Sequence, residues 1–252
     1  MIPELAAAME AGESVVLATV VRTSRSVPRR PGAKMLVWAD GRTLGTVGGG
    51  EMEHRVRTEA AAALIDGRPR LLTYRLVDPT SGDPGVCGGE ADIYLEPFMP
   101  KPTLVVIGAG HVGQAVIDLA ELLDQNIAVW DDRDDVLADA TGEIDAASSG
   151  PIAEFLDGLA LTPQAAIVIV TRNVALDLEI LPALLATPAG YIGLMGSERR
   201  WATTRAGLVE RGFDESTLAR VQAPIGVEIH AETPAEIAVS IMASVIERRR
   251  RP

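Results

Sequence analysis

The sequence predicts an α/β protein in two parts: an N-terminal α+β module with a mixed sheet, followed by a C-terminal doubly wound parallel sheet. Three observations carry this. Apolar β-branched runs alternate with helical periodicity through the second half, the pattern of a parallel sheet with crossover helices. The first half has hairpin signals instead. Between them lies EPFMPKP (96–102), three prolines in seven residues, which reads as a linker and sets the modules at 1–98 and 103–252.

In chain order, SVVLATVVRT (14–23) is apolar and β-branched, hence a strand. KMLVW and RTLGTV flank Ala39-Asp40-Gly41, and Asp-Gly between apolar runs is a hairpin signal. EMEHRVRTEAAAALI (51–65) is helical by propensity, and RLLTYRL and ADIYLEP are strands. In the second half TLVVIG is a buried strand. Val112, Val116, Leu119 and Leu123 then mark an amphipathic helix. NIAVWDD, AAIVIVT (165–171) and GYIGLMG are further strands. LEILPALLA is helical as far as its proline, and RRWATTRAGLVERG is a helix. The last helix opens on Thr233-Pro234-Ala235-Glu236, a capping box with proline at the first helical position.

Composition narrows the function. The 252 residues are 47% hydrophobic and carry a formal charge of −12, an acidic surface that argues against nucleic-acid binding. The basic ERRRRP end suits a helix C-terminus. No apolar run reaches the ~20 residues of a membrane span, and the first residues lack the pattern of a signal peptide. With a single cysteine, Cys87, no intramolecular disulfide is available, and a reducing cytoplasm is expected.

Gly108-Ala109-Gly110-His111-Val112-Gly113 fits G-x-G-x-x-G between a strand and a helix, the context that makes the second module Rossmann-like. Gly108 permits the turn, Gly110 lets a pyrophosphate approach the backbone, and Gly113 lets the helix pack on the strand. Asp131 ends the second strand eighteen residues beyond Gly113, where a ribose-binding carboxylate belongs, with Asp132 its neighbouring alternative. A carboxylate there favours NAD over NADP. A second constellation lies in the first module. No acidic residue occurs between Glu13 and Asp40, a window holding Arg22, Arg25, Arg29, Arg30 and Lys34. This is either a solvated loop or an anion site. Gly48-Gly49-Gly50 follows, before a helix whose first turn holds Glu51, Glu53 and His54. Glycines at a helix entrance expose N–H groups to anions, and the acids equally complement the helix dipole. Glu51 and His54 alone make a weak metal signal, so no metal site is assigned.

Taken together, ATVVRTSRSVPRRPGAKMLV, GTVGGGEMEHRV, VCGGEADIYLEP, LVVIGAGHVGQA, YIGLMGSERR and APIGVEIHAETPAEIAVSI resemble, in order and over nearly the whole chain, the XdhC/CoxI family of xanthine dehydrogenase accessory factors. The resemblance implies a chaperone that binds the molybdenum cofactor (molybdopterin) and assists its sulfuration. The chaperone would insert the cofactor into a xanthine dehydrogenase-type molybdenum hydroxylase, with a cysteine desulfurase as sulfur source and a homodimer as assembly. By the same resemblance Arg29 and Gly48–Gly50 bind cofactor, and Glu53 and Cys87 are the reactive residues. The chain departs from the family in two places. Glu51 stands where many CoxI-like members have cysteine, and Thr171-Arg172-Asn173 replaces a common Thr-His-Asp. Two alternatives remain, an NAD(P)-dependent oxidoreductase and an NAD(H)-sensing regulator. The histidines offer no catalytic signature, and no Tyr-x-x-x-Lys pair is present.

Overall fold

The computed structural model describes residues 1–25, 27–75 and 89–250. They group into two compact units, Met1–Pro100 and Lys101–Pro252.

The first unit runs α1 (Ile2–Glu10), β1 (Val15–Ser24), β2 (Lys34–Trp38), β3 (Thr43–Gly45), α2 (Gly50–Asp66), β4 (Arg70–Arg75) and β5 (Glu90–Phe98). Its sheet has the order β3-β2-β1-β5-β4, and every pairing is antiparallel, where the sequence suggested a mixed sheet. The reason lies in the one helical crossover. α2 leaves β3 at one edge and arrives at β4 on the other, so it joins strands that do not pair. β1 reads as an unbroken apolar run because both its faces are covered. Val16, Ala18 and Val20 pack under Met52, Val56, Ala60 and Ala63 of α2. Val15 and Leu17 pack under Leu5 and Ala8 of α1, a helix the sequence reading does not place. Pro97, expected in the linker, instead pairs with Val16 inside β5. β4 stops pairing at Leu95, so the missing N–H of Pro97 costs no ladder bond on that side.

The second unit runs β6 (Thr103–Ile107), α3 (His111–Leu122), β7 (Asn126–Trp130), α4 (Asp134–Ala138), β8 (Ala146–Ser148), α5 (Ile152–Asp157) and β9 (Ala166–Ile169). It continues with α6 (Val174–Ala186), β10 (Tyr191–Leu194), α7 (Glu198–Glu210), α8 (Glu215–Leu218), β11 (Val221–Gln222) and α9 (Pro234–Arg250). The sheet is parallel, in the order β11-β10-β9-β6-β7-β8. Numbered within the unit this is 3-2-1-4-5-6 when read from the β8 edge, the doubly wound arrangement, with its switch point between β6 and β9. Leu104 and Val106 face α3 and α9 on one side. Val105 and Ile107 face α5, α6 and α7 on the other.

α6 does not stop at its proline but runs four residues past it, because Leu181, Leu184 and Leu185 belong to the core. A helical proline orphans the carbonyl four residues back, here that of Leu178. Arg211 Nη1 donates to that oxygen at 2.6 Å. Beyond the helix end, Arg220 donates to the carbonyls of Leu185, Thr187 and Ala189. α9 starts as expected: Glu236 accepts from the Thr233 N–H, and the Thr233 hydroxyl accepts from the Glu236 N–H.

Candidate functional site

Each unit holds one candidate site. In the first, Gly48, Gly49 and Gly50 have φ of +146°, +82° and +61°, three successive positive-φ residues that only glycine adopts without strain. The turn is clamped from below. Glu53 Oε1 accepts from the Thr46 hydroxyl, from Val47 N–H at 3.2 Å and from Gly49 N–H at 3.0 Å. Burial pushes this carboxyl up, but those hydrogen bonds outweigh it and hold it below the ordinary glutamate range. Glu53, expected as a reactive group, thus serves the turn with its carboxylate. No side chain caps α2, so the N–H groups of its first turn lack a side-chain capping acceptor. A Cβ at Gly49 or Gly50 would meet nothing within 4 Å.

The arginine loop lies beside this turn: a Cβ on Gly48 would come within 3.4 Å of the Pro28 ring. Arg30-Pro31-Gly32-Ala33 forms a turn with φ +93° at Gly32, closed by Ala33 N–H to Arg30 O at 3.2 Å. The cations of the window differ in their engagement. Arg22 is paired with Asp92 at 2.8 Å, and Lys34 donates to Thr19. Arg29 and Arg30 are exposed and form no ion pair among the described residues. Cys87 lies outside the described residues. No group of three or more His, Cys, Asp or Glu suited to a metal ion occurs among those described.

In the second unit the switch point opens as a cleft of about 200 Å³, lined by Gly108, Gly110, Asp131, Asp132, Arg133 and Arg172 among others. The three fingerprint glycines are not equivalent. Gly108 has φ +106°, and its Cβ would stand 2.9 Å from Val170 O. A Cβ on Gly113 would stand 1.9 Å from Gly108 O. Both are demanded by chain packing. Gly110 has φ −68° and open space around its missing Cβ, so nothing within the chain requires glycine there.

Asp131 is at the expected strand end, but it is buried and engaged. It accepts from Ala109 N–H at 2.8 Å and from the Arg133 backbone and guanidinium. Asp132 instead meets Arg172 bidentately at 2.6 and 2.5 Å, linking the end of β7 to the end of β9 past β6. The Arg172 hydrogen bonds, opposed by burial, hold the Asp132 carboxyl below its usual range. Behind the cleft, Asp177 is fully buried and takes both Nε and Nη2 of Arg200 at 2.8 Å. Arg200 also donates to the Thr171 carbonyl and hydroxyl, and the Thr171 hydroxyl donates to Asp177. This network fixes the β9–α6 loop that carries Arg172.

Comparison with known families adds to this geometry. Residues 104–245, more than half the chain, match the model described as the XdhC Rossmann domain, and residues 8–75 match that of the XdhC and CoxI family. The chain belongs to the XdhC/CoxI family. It is 36% identical over 240 residues to uncharacterized protein YqeB of Escherichia coli K12, covering 92% of this chain and 43% of that one. To a Bacillus subtilis 168 protein named as a probable xanthine dehydrogenase component it is 29% identical over 164 residues, 64% of this chain and 47% of that one. To the molybdenum cofactor insertion chaperone PaoD of E. coli K12 it is 25% identical over 274 residues, 96% of this chain and 86% of that one. The chain therefore spans less than half the length of the first two. A crystal structure titled as a xanthine dehydrogenase from Bacillus halodurans shares the fold, with TM-score 0.52, 22% identity and coverage of 99% of this chain and 95% of that one.

Within the family pattern, the Thr171-Arg172-Asn173 departure has a local account. Asn173 caps α6, accepting from Leu176 N–H at 2.9 Å, as an aspartate would. Arg172 acquires Asp132 as a partner. Sequence reasoning does not single out Arg133 or the Arg200–Asp177 pair, and it reads Arg172 only as a departure from the family. For Arg133 a signal existed, since it stands two residues after Asp131; the others become neighbours only on folding.

Proposed function

We propose that this chain is an accessory factor in molybdenum-cofactor insertion, holding the cofactor in transit to a xanthine dehydrogenase-type molybdenum hydroxylase. The observation that carries the reading is the kinship with PaoD, which runs over 96% of this chain and 86% of that chaperone. The first unit suits such a ligand. Gly49 and Gly50 leave open space at the entrance of α2, where the uncapped first turn begins, and Arg29 and Arg30 stand ready for a phosphate. When bound, the cofactor supplies a redox-active metal and an anionic pterin phosphate. Glu53 keeps the turn in its anion-accepting shape, and Cys87, a soft thiol, is the group proposed for sulfur handling with a cysteine desulfurase. A homodimer is part of the same proposal.

Purified protein is expected to retain a pterin, read as its fluorescent oxidation product, and to lose most of it in Arg29→Ala/Arg30→Ala. A hydroxylase that matures normally, with full sulfur content, in cells lacking this protein would defeat the proposal.

A second ligand is favoured by a separate observation. Gly110 is the one fingerprint glycine that chain packing leaves unexplained, and it lines the switch-point cleft. A dinucleotide whose pyrophosphate approaches the Gly110 backbone accounts for it. The Rossmann unit is therefore read as a nucleotide site that serves regulation of the chaperone.

A further inference from the structure

In a dinucleotide fold, the carboxylate ending the second strand ordinarily accepts the adenosine ribose hydroxyls. Asp131 stands at that position but has no acceptor site to spare. Its Oδ1 accepts from the Arg133 backbone N–H at 3.1 Å and from Arg133 Nε at 2.9 Å. Its Oδ2 accepts from Arg133 Nη2 and from Ala109 N–H, both at 2.8 Å. Four donors fill the four lone-pair sites of a carboxylate. Only 2% of the side chain reaches solvent. A ribose diol would have to evict Arg133 or break the bond that ties the glycine turn to β7.

The cleft offers a guanidinium in the carboxylate's place. Arg133 is 40% exposed at its side chain and lines the same cleft as Gly108 and Gly110. Asp131 occupies its Nε–H and one Nη2 hydrogen. That leaves three N–H groups, two on Nη1 and one on Nη2, on a fork already locked in orientation. A phosphate monoester takes such a fork in bidentate fashion. The surrounding field does not oppose it, because Asp131 is neutralised by Arg133 and Asp132 by Arg172.

We infer that the crevice selects a dinucleotide carrying a 2′-phosphate on its adenosine ribose, NADP(H) over NAD(H), with Arg133 as the selecting residue and Asp131 as the residue that positions it. This rests on the reading of the crevice as a nucleotide site. It reverses the expectation that a carboxylate after the second strand favours NAD.

Calorimetry on the full chain with NADP⁺ and NAD⁺ tests it. The native protein is expected to bind NADP⁺ at least tenfold more tightly. In Arg133→Ala the NADP⁺ affinity falls tenfold or more while that for NAD⁺ does not fall, because Asp131 loses its guanidinium donors and can accept the ribose hydroxyls, so the selectivity disappears or inverts. Arg133→Lys, which keeps the charge but not the fork, retains part of it. Asp131→Asn, which loosens the fork without removing it, lowers the NADP⁺:NAD⁺ ratio. Tighter binding of NAD⁺ by the native protein, or an unchanged ratio in Arg133→Ala, overturns this assignment and leaves the nucleotide site standing. Absence of binding by either ligand to folded protein defeats the nucleotide site, and this inference with it.

Discussion

Paired substitutions at Gly113 and Gly110 separate what the fold needs from what a ligand needs. In Gly113→Ala the new methyl carbon lands 1.9 Å from Gly108 O and 2.9 Å from Gly108 C. Carbon contacts settle at ~3.5 Å or more, and the obstacle is backbone, which cannot rotate away. α3 must therefore recede from β6, where Val116, Ile117 and Ala120 are fully buried. Overpacking of this kind costs roughly 1–3 kcal/mol, and a backbone obstacle puts it at about 3. For a chain of this size that is a fall in Tm of roughly 6–12 °C. In Gly110→Ala the methyl meets no atom within 4 Å, and φ is −68°. Alanine is a poorer N-cap than glycine by several tenths of a kcal/mol. It recovers about as much by restricting the unfolded chain. The net is within about 0.5 kcal/mol, so the melting curve barely moves. NADP⁺ affinity, by contrast, is expected to fall at least tenfold, because the methyl stands where the pyrophosphate meets the backbone. Thermal and urea melts followed by circular dichroism, alongside calorimetry, give both quantities. If Gly110→Ala melts like Gly113→Ala, or binds nucleotide as well as the native protein, the middle glycine is a packing residue and the argument for a ligand fails.

Two further predictions concern the clamps behind the sites. Glu53→Ala strips the acceptor from the Thr46 hydroxyl and two turn N–H groups, and is expected to cost roughly 1–3 kcal/mol in urea denaturation. The folded Glu53 carboxyl sits below its unfolded value. Its contribution is therefore complete above pH ~4.3 and is lost as pH falls through the folded value. An acid limb identical in Glu53→Gln and the native protein would contradict this. For the Asp177–Arg200 pair, either Asp177→Asn or Arg200→Met leaves a buried charge short of its partner and is expected to cost about 3–5 kcal/mol. The double variant should cost clearly less than the sum of the two; strict additivity would show that the pair is not coupled.

The sequence discloses most of the fold because its main elements are long and strongly patterned. β6, β7, β9 and β10 are short apolar runs buried almost throughout, and α2, α3, α7 and α9 each turn a buried face to a core. The elements that escape such a reading are short. α4, α5 and α8 have four to six residues, and β8 and β11 two or three, too few for a period to register. α1 escapes it because the helix buries only Leu5 and Ala8. Sequence rules end α6 at Pro182 because the objection to a helical proline is local, while Arg211, which answers the orphaned carbonyl of Leu178, sits 33 residues away from it along the chain.

At the sites the boundary falls differently. Glycine motifs are legible because they specify backbone geometry, which is local. The state of a charged side chain depends on its partners, and Asp131 shows how far position and state diverge. The two ion pairs of the cleft also differ in what they permit. Asp132 and Arg172 are both partly exposed, at 31% and 44%, and such a pair is worth about 0–1 kcal/mol. The Asp132–Arg172 pair therefore holds its guanidinium only weakly in place. Asp131 is buried under Arg133, and uncoupling them would strand a carboxylate away from water. One guanidinium is thus exchangeable and the other fixed. Of the two, Arg133 is the one whose placement does not wait on a ligand, which is why the proposed discrimination between nucleotides is assigned to it and not to Arg172.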